Sequence, residues 1–237
     1  MTDALLPAIE IETGPRPDAA VIWMHGLGDS GHGWSEVVGG LGLPRDLSVR
    51  LLFPHAPEIP VTINRGFRMP AWYDFHEGDL NSRADVAGVR RSQRQVEALI
   101  AREAARGVPA HRVVLAGFSQ GGAIALYAGL RHRERLAGIV ALSTYLIAAD
   151  RIAEDASVAN RSLPIFMAHG TYDPVVAFAW AERSRDALKA AGWPLEWHAY
   201  PMEHSAVIEE IVAGGAFITR VLTERRTIVR QPVGDTP

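Results

Sequence analysis

The chain is 237 residues long and predicts an α/β fold: one domain on a mostly parallel, doubly wound sheet with helices on both faces. Three observations lead there. Continuous apolar runs of strand length, suited to strands covered on both faces, alternate with longer helix-like segments. That alternation continues along the chain with no internal repeat and no second-domain linker. Between one such strand run and one such helix run lies Gly117-Phe118-Ser119-Gln120-Gly121, a pattern that sets a serine on a sharp turn.

Ile9-Glu10-Ile11-Glu12 alternates and reads as a half-exposed antiparallel edge strand, ended by Gly14-Pro15. Ala19 to Met24 is apolar throughout, as a central strand should be. Asp29 and Ser30 precede Trp34 to Val38, where a carboxylate suits the start of a short helix better than it suits chemistry. Val49 to Phe53 forms the next strand before Pro54. His55 to about Asn81 reads as a long irregular segment with prolines and aromatics, and such segments usually carry function. Asp85 to Arg106 is a helix with Val86, Val89, Val96, Leu99 and Ile100 on its buried stripe, closed by Gly107.

Val113 to Ala116 is the strand before the serine, and Ala123 to Ala128 the helix face after it. Leu136–Leu142, Pro164–Ala168 and Leu195–Tyr200 follow as strands. Ala177–Ala191, closed by Gly192, and Ala206–Thr223 follow as helices. Residues 1–226 make a single domain on this reading, and the polar, proline-bearing 227–237 a frayed tail.

Composition narrows the function. A hydrophobic share of 48% and a charged share of 22% are globular values, long enough a chain being present to bury a real core. A net charge of −3 without a long basic run removes electrostatic support for nucleic-acid binding. The absence of cysteine excludes disulfides, thiol nucleophiles and thiolate metal sites together, and suits a reducing compartment. Met1 to Pro7 lacks a basic and an apolar signal region, and no apolar run reaches membrane-spanning length. A cytoplasmic protein without stable membrane insertion is expected.

Ser119 needs a base, and the base needs an orienting carboxylate. In a parallel sheet both should follow the C-terminal ends of later strands. Asp173, just after the Ile165–Ala168 run, and His204, between the last strand and the last helix, occupy such places. The order Ser…Asp…His is that of an α/β-hydrolase. Asp173 before proline also fits a turn-initiating role, and His204 also fits an exposed loop.

His25 and His169 each precede a glycine at a strand end and read as turn-shaping residues, and His198 lies inside a strand. His32, His55, His76, His111 and His132 have no strand-end placement after the serine. Two backbone donors are expected to face the oxyanion. One is Gln120 N–H, at a helix N-terminus; the other is Leu27 N–H, in the loop opened by His25-Gly26. Trp72, Leu146, Val175 and Val176 are expected beside the acyl group with Leu27, although each serves equally well as core beneath a loop. No cluster has metal-ligand spacing, so no metal and no cofactor are called for.

The segments His25-Gly-Leu-Gly-Asp-Ser-Gly-His-Gly-Trp34, Ala71-Trp-Tyr-Asp74, Gly117-Phe-Ser-Gln-Gly-Gly122, His169-Gly-Thr-Tyr-Asp-Pro-Val-Val176 and Met202-x-His204-Ser205 appear in that order. Together they resemble the carboxylesterase / acyl-protein thioesterase (lysophospholipase-like) family of α/β-hydrolases, from roughly Ala19 to Leu222. The resemblance implies Ser119 as nucleophile, His204 as base, Asp173 as its orienter, and the Leu27 and Gln120 N–H groups as oxyanion hole. It implies ester or thioester hydrolysis without a cofactor, and leaves a homodimer open. The reading that follows is a carboxylesterase acting on small esters of short to medium acyl chain. Its alternative is an acyl-protein thioesterase or lysophospholipase, and a non-catalytic ligand-binding hydrolase fold stands behind both. Glu203, where the family often has a small residue, and the long tail are departures.

Overall fold

A computed structural model describes residues 5–75 and 85–229. In chain order the strands and helices are β1 (Ala8–Glu12), β2 (Ala19–Met24), α1 (Gly31–Ser35), β3 (Val49–Pro54), β4 (Glu58–Val61), β5 (Phe67–Pro70) and α2 (Val86–Ala105). β6 (Val113–Phe118), α3 (Gln120–Arg131), β7 (Gly138–Leu142), α4 (Ile152–Asp155), β8 (Ile165–Gly170), α5 (Phe178–Ala190), β9 (Leu195–Tyr200) and α6 (Ile208–Val229) follow.

Seven strands form one sheet in the order β1-β3-β2-β6-β7-β8-β9. β1 pairs antiparallel with β3, Ala8 opposite Pro54, and the remaining neighbours are parallel. This is the mostly parallel sheet of the α/β-hydrolase fold.

Strand alternation sorts the core into two layers. Ala20, Ile22 and Met24 of β2, with Val113 and Leu115 of β6, pack with α2, α3 and α5 residues such as Leu99, Ile124 and Leu188. Val21 and Trp23, with Val114 and Ala116, pack on the other face with Phe217, Ile218 and Leu222 of α6. Every residue of β2 is buried, as its unbroken apolar run foretold. α3 is buried along nearly its whole surface, which is why its sequence carries no polar stripe.

The chain leaves β2 toward β3 on one side and returns to β6 on the other. The strand order therefore reverses between β2 and β6, and a crevice opens beyond their C-terminal ends. Ser119 and the His25–Asp29 loop lie there.

Most element ends shift by one or two residues, and the larger departures from expectation are a hairpin and the bounds of α6. The irregular segment after His55 contains an antiparallel hairpin, β4 with β5, whose turn uses left-handed Arg65 and Gly66. Pro57, Pro60 and Pro70 hid these strands, because prolines demote a run except at sheet edges. α6 starts at Ile208 and continues to Val229, past the expected end at Thr223. Of the expected tail, residues 230–237 lie outside the described residues, as does His76. Among the described residues no helix is long and apolar enough to cross a membrane.

Candidate active site

Ser119 occupies the single residue between β6 and α3, with φ 54° and ψ −122°. A non-glycine residue at positive φ is strained, and packing must hold it there. Three bonds to its backbone groups do so. Ser119 N–H donates to Leu142 O at 2.8 Å, while Ser119 O accepts from Ala123 N–H at 3.0 Å and from Thr144 Oγ1 at 2.6 Å. The flanking glycines are steric requirements. A Cβ on Gly121 would come within 2.2 Å of Met24 O, and one on Gly117 within 2.4 Å of Gly121. The serine thus stands at the first turn of a well-packed helix, where unpaired N–H groups favour negative charge.

His204 and Asp173 arrive from the loops after β9 and β8. His204 Nε2 lies 3.0 Å from Ser119 Oγ, and His204 Nδ1 lies 2.7 Å from Asp173 Oδ2. With Nδ1–H donating to the carboxylate, the Nε2 lone pair faces the serine hydroxyl. Such a chain can draw the hydroxyl proton onto Nε2 as Oγ attacks. The two loops can meet because Gly170 lacks a side chain: a Cβ there would be 2.3 Å from Met202 O. Tyr172 N–H also donates to Met202 O, at 3.1 Å.

Asp173 has a fully buried carboxylate with both oxygens engaged. Oδ1 accepts from Val175 and Val176 N–H, each at 2.8 Å. Oδ2 serves His204 and also lies 3.3 Å from His169 Nε2. Burial pushes this carboxyl up, but the bonds from His169, His204 and Val176 N–H outweigh it and hold it well below the usual carboxylate range. His169 also places Nε2 2.8 Å from Val176 O. A carbonyl only accepts, so Nε2 carries the proton. The His-Gly sequence at the end of β8 marked a turn residue, but nothing in it revealed the contact with Asp173.

The cleft beside the serine has a volume of about 280 Å³. Its walls are Leu27, Tyr73, Phe75, Tyr145, Val175, Val176 and Trp180, with Gly26, Asp29, Phe118, Gln120 and His204 at the reacting end. Leu27, Gln120, Val175 and Val176 therefore come together with Ser119. Trp72 and Leu146 do not line the cleft; both are buried in the core, and their neighbours Tyr73 and Tyr145 face it instead. Trp72 is turned away because its indole N–H donates to His25 O at 2.8 Å. Leu146 gives its N–H to Ser184 Oγ on α5 and packs beneath the wall. Tyr73 and Tyr145 close on each other through their hydroxyls, 2.7 Å apart.

Asp29 borders the cleft and accepts from Ser30 N–H at 2.7 Å, immediately before α1. Glu203 is exposed. Among the described residues no group of His, Asp or Glu side chains could hold a metal ion.

A mostly parallel seven-stranded sheet with a serine on a strained strand-to-helix turn, a histidine on its hydroxyl and a carboxylate behind the histidine defines an α/β-hydrolase. The comparisons narrow it: the Phospholipase/Carboxylesterase family model matches residues 7–222, and the chain belongs to that family. It is 43% identical over 225 residues to acyl-protein thioesterase 1 of Neurospora crassa, covering 91% of this chain and 92% of the relative. With acyl-protein thioesterase 1 of Gibberella zeae the identity is 40% over 231 residues, covering 94% and 98%. The crystal structure of Zea mays acyl-protein thioesterase 2 is similar with a TM-score of 0.80 and 28% identity, over 91% of this chain and 99% of that one. The protein is a hydrolase.

Proposed function

We propose that this chain is a serine thioesterase that removes acyl groups from S-acylated cysteines of protein substrates. The observation that carries the chemistry is the hydrogen-bonded chain from Asp173 through His204 to Ser119, opening onto an apolar cleft. The thioester assignment is supported by relatives named acyl-protein thioesterase at 40–43% identity along nearly the whole chain.

Ser119 Oγ attacks the carbonyl carbon as His204 Nε2 takes its proton. The tetrahedral oxyanion lies against the Leu27 and Gln120 N–H groups. It collapses with loss of the thiolate, which takes the proton from His204, leaving an acyl ester on Ser119. Water, activated in turn by His204, hydrolyses that ester. Asp173 holds the neutral imidazole in the Nδ1–H tautomer and stabilises the imidazolium that forms in each half of the reaction. A cysteine-free enzyme of this kind suits the cytoplasm, where thiols released from substrates stay reduced.

A second reading, a carboxylesterase for short to medium acyl esters, is favoured by the dimensions of the cleft. Its volume of about 280 Å³ lies near the lower end of the roughly 300–1,000 Å³ usual for small-molecule sites. A lysophospholipid is a third candidate substrate, and mere ligand binding would not call for an aligned Ser–His–Asp chain. The discriminating experiment compares kcat/KM on an S-acyl peptide, a p-nitrophenyl ester of the same acyl group and a lysophospholipid, with Ser119→Ala beside each. The expected result is a preference for the thioester, abolished in Ser119→Ala. An oxygen ester turned over tenfold faster would return the assignment to carboxylesterase. Undiminished turnover by Ser119→Ala would end the serine mechanism altogether.

A further inference from the structure

His25 is fully buried at the C-terminal end of β2, and its ring is held between two backbone groups. Ala56 N–H lies 3.0 Å from Nε2, and a backbone N–H can only donate, so Nε2 bears no proton. The ring hydrogen of the neutral imidazole is therefore on Nδ1, which donates to Gly26 O at 2.7 Å. Burial disfavours the charged ring and lowers its proton affinity, despite the Gly26 bond and nearby Asp29.

Gly26 O belongs to the same peptide unit as Leu27 N–H. A trans peptide is planar, with its C=O and N–H directed to opposite sides. Turning the oxygen toward His25 consequently turns the Leu27 N–H the other way. Gly26 stands so near the elbow that a Cβ on it would be 3.5 Å from Ser119 Cβ. Leu27 and Ser119 border the same cleft, and among the described residues the Leu27 N–H has no acceptor. The other bond to Gly26 O, from Asp29 N–H at 3.3 Å, is long and gives less hold on the peptide plane.

The preceding peptide is fixed too, by the Trp72 indole N–H on His25 O at 2.8 Å. The same strip of chain grips the residue that bears the other donor. Trp72 N–H donates to Gln120 Oε1, and Gln120 Nε2 donates to Tyr73 O, both at 2.8 Å. Both sides of the oxyanion hole are tied to one segment.

We propose that His25, neutral and protonated on Nδ1, is a positioning residue that holds the Gly26–Leu27 peptide with its N–H aimed at the oxyanion formed on Ser119. It never touches substrate; it acts through the peptide plane. The inference rests on the serine-hydrolase reading of the site. It adds a role for a residue whose sequence context indicated only a turn.

The test is kinetic and uses the full chain. His25→Leu, which cannot donate to Gly26 O, should lose about 10²–10³-fold in kcat on a p-nitrophenyl ester with KM within about threefold, the loss typical of one missing oxyanion donor. His25→Asn places an amide N–H near the position of Nδ1 and should recover a tenth or more of the wild-type kcat. His25→Gln, which reaches toward Nε2 instead, should recover less. Affinity for an alkylboronic acid, whose Ser119 adduct carries a tetrahedral oxyanion, should fall in step with kcat/KM. A folded His25→Leu with kcat within threefold of wild type, or a loss confined to KM, would overturn the proposal.

If the leucine variant fails to fold, the wild-type protein decides. In a crystal of the fluorophosphonate-labelled enzyme, the phosphoryl oxygen should lie within about 3.1 Å of Leu27 N, with the Nδ1–Gly26 O bond intact. An oxygen bound by Gln120 N–H alone would refute the role. Ser119→Ala keeps the two failures apart. If it is inactive while His25→Leu is unimpaired, only the positioning role falls; if it remains active, the serine-hydrolase reading itself falls.

Discussion

His169 and His204 grip the same oxygen of Asp173: His204 Nδ1 at 2.7 Å and His169 Nε2 at 3.3 Å converge on Oδ2. The carboxylate thus has a partner behind it as well as in front, and the His204 imidazole, 3.0 Å from Ser119 Oγ, leans on a braced acid. The single Nε2 hydrogen is shared with Val176 O, and 3.3 Å is long, so this contact is worth less than the about 1.5–3 kcal/mol of a full hydrogen bond to a charged group, a factor of up to about ten in rate. His169→Leu should lower kcat by that factor on any substrate, with KM little changed. His169→Gln, which retains an N–H donor, should recover most of it. Steady-state kinetics of both variants check this, and a leucine variant within twofold of wild type would remove His169 from the mechanism.

The backbone at Ser119 stores strain that the fold tolerates for the sake of its hydroxyl. At φ 54° any side chain with a Cβ is disfavoured, at a cost of about 1–3 kcal/mol. Glycine normally costs about 0.5–1 kcal/mol relative to alanine through the freedom it gives the unfolded chain. Relief of strain is the larger quantity here. Ser119→Gly should therefore be inactive yet more stable than Ser119→Ala by about 1 kcal/mol in urea denaturation. Equal or lower stability of the glycine variant would show that the turn is not strained.

Much of this site was legible in the chain because its parts obey rules of strand ends. Ala19–Met24 and Val113–Phe118 are unbroken apolar runs, so the residues just beyond them had to line the crevice. The same logic points to Asp173 and His204, which the structure brings into one hydrogen-bonded chain with Ser119. Side-chain direction in irregular segments follows no period, and there the reading slipped by one residue: Tyr73 and Tyr145 face the cleft, not Trp72 and Leu146. Which way each points is decided by partners remote in sequence, such as His25 O for Trp72 and Ser184 Oγ for the Leu146 N–H. The brace on Asp173 was illegible for a related reason. His169 and Asp173 are four residues apart across a strand end and a turn, where spacing implies no contact.

The hydroxyls of Tyr73 and Tyr145 meet at 2.7 Å across a cleft of about 280 Å³, and both rings belong to its wall. If acyl chains lie there, this pair limits their length. Tyr145→Ala should shift the preferred p-nitrophenyl ester to one longer by two or more carbons. Tyr145→Phe, which removes only the hydroxyl, should leave the preferred length unchanged. The two profiles, measured from acetate to palmitate, check this. An unshifted optimum in Tyr145→Ala would place the acyl chain elsewhere.

Glu210 opposes the stability of the molecule at alkaline pH. It is fully buried in the first turn of α6, and among the described residues neither carboxyl oxygen has a hydrogen-bond partner. Burial pushes its pKa up to about 8. Below the ordinary carboxyl pKa of about 4.3 both folded and unfolded chains hold the proton, and Glu210 carries no electrostatic penalty. As pH rises toward 8 the unfolded chain releases the proton while the folded chain retains it. Folding stability then falls by about 1.4 kcal/mol for each pH unit, levelling off once the folded group ionises. Glu210→Gln cannot ionise and should lose this slope. It should match the wild type within about 1 kcal/mol at pH 5 and exceed it by a few kcal/mol at pH 8.5. Urea denaturation at the two pH values measures the difference, and parallel pH dependence in the two proteins would mean that Glu210 is ionised and satisfied in the fold.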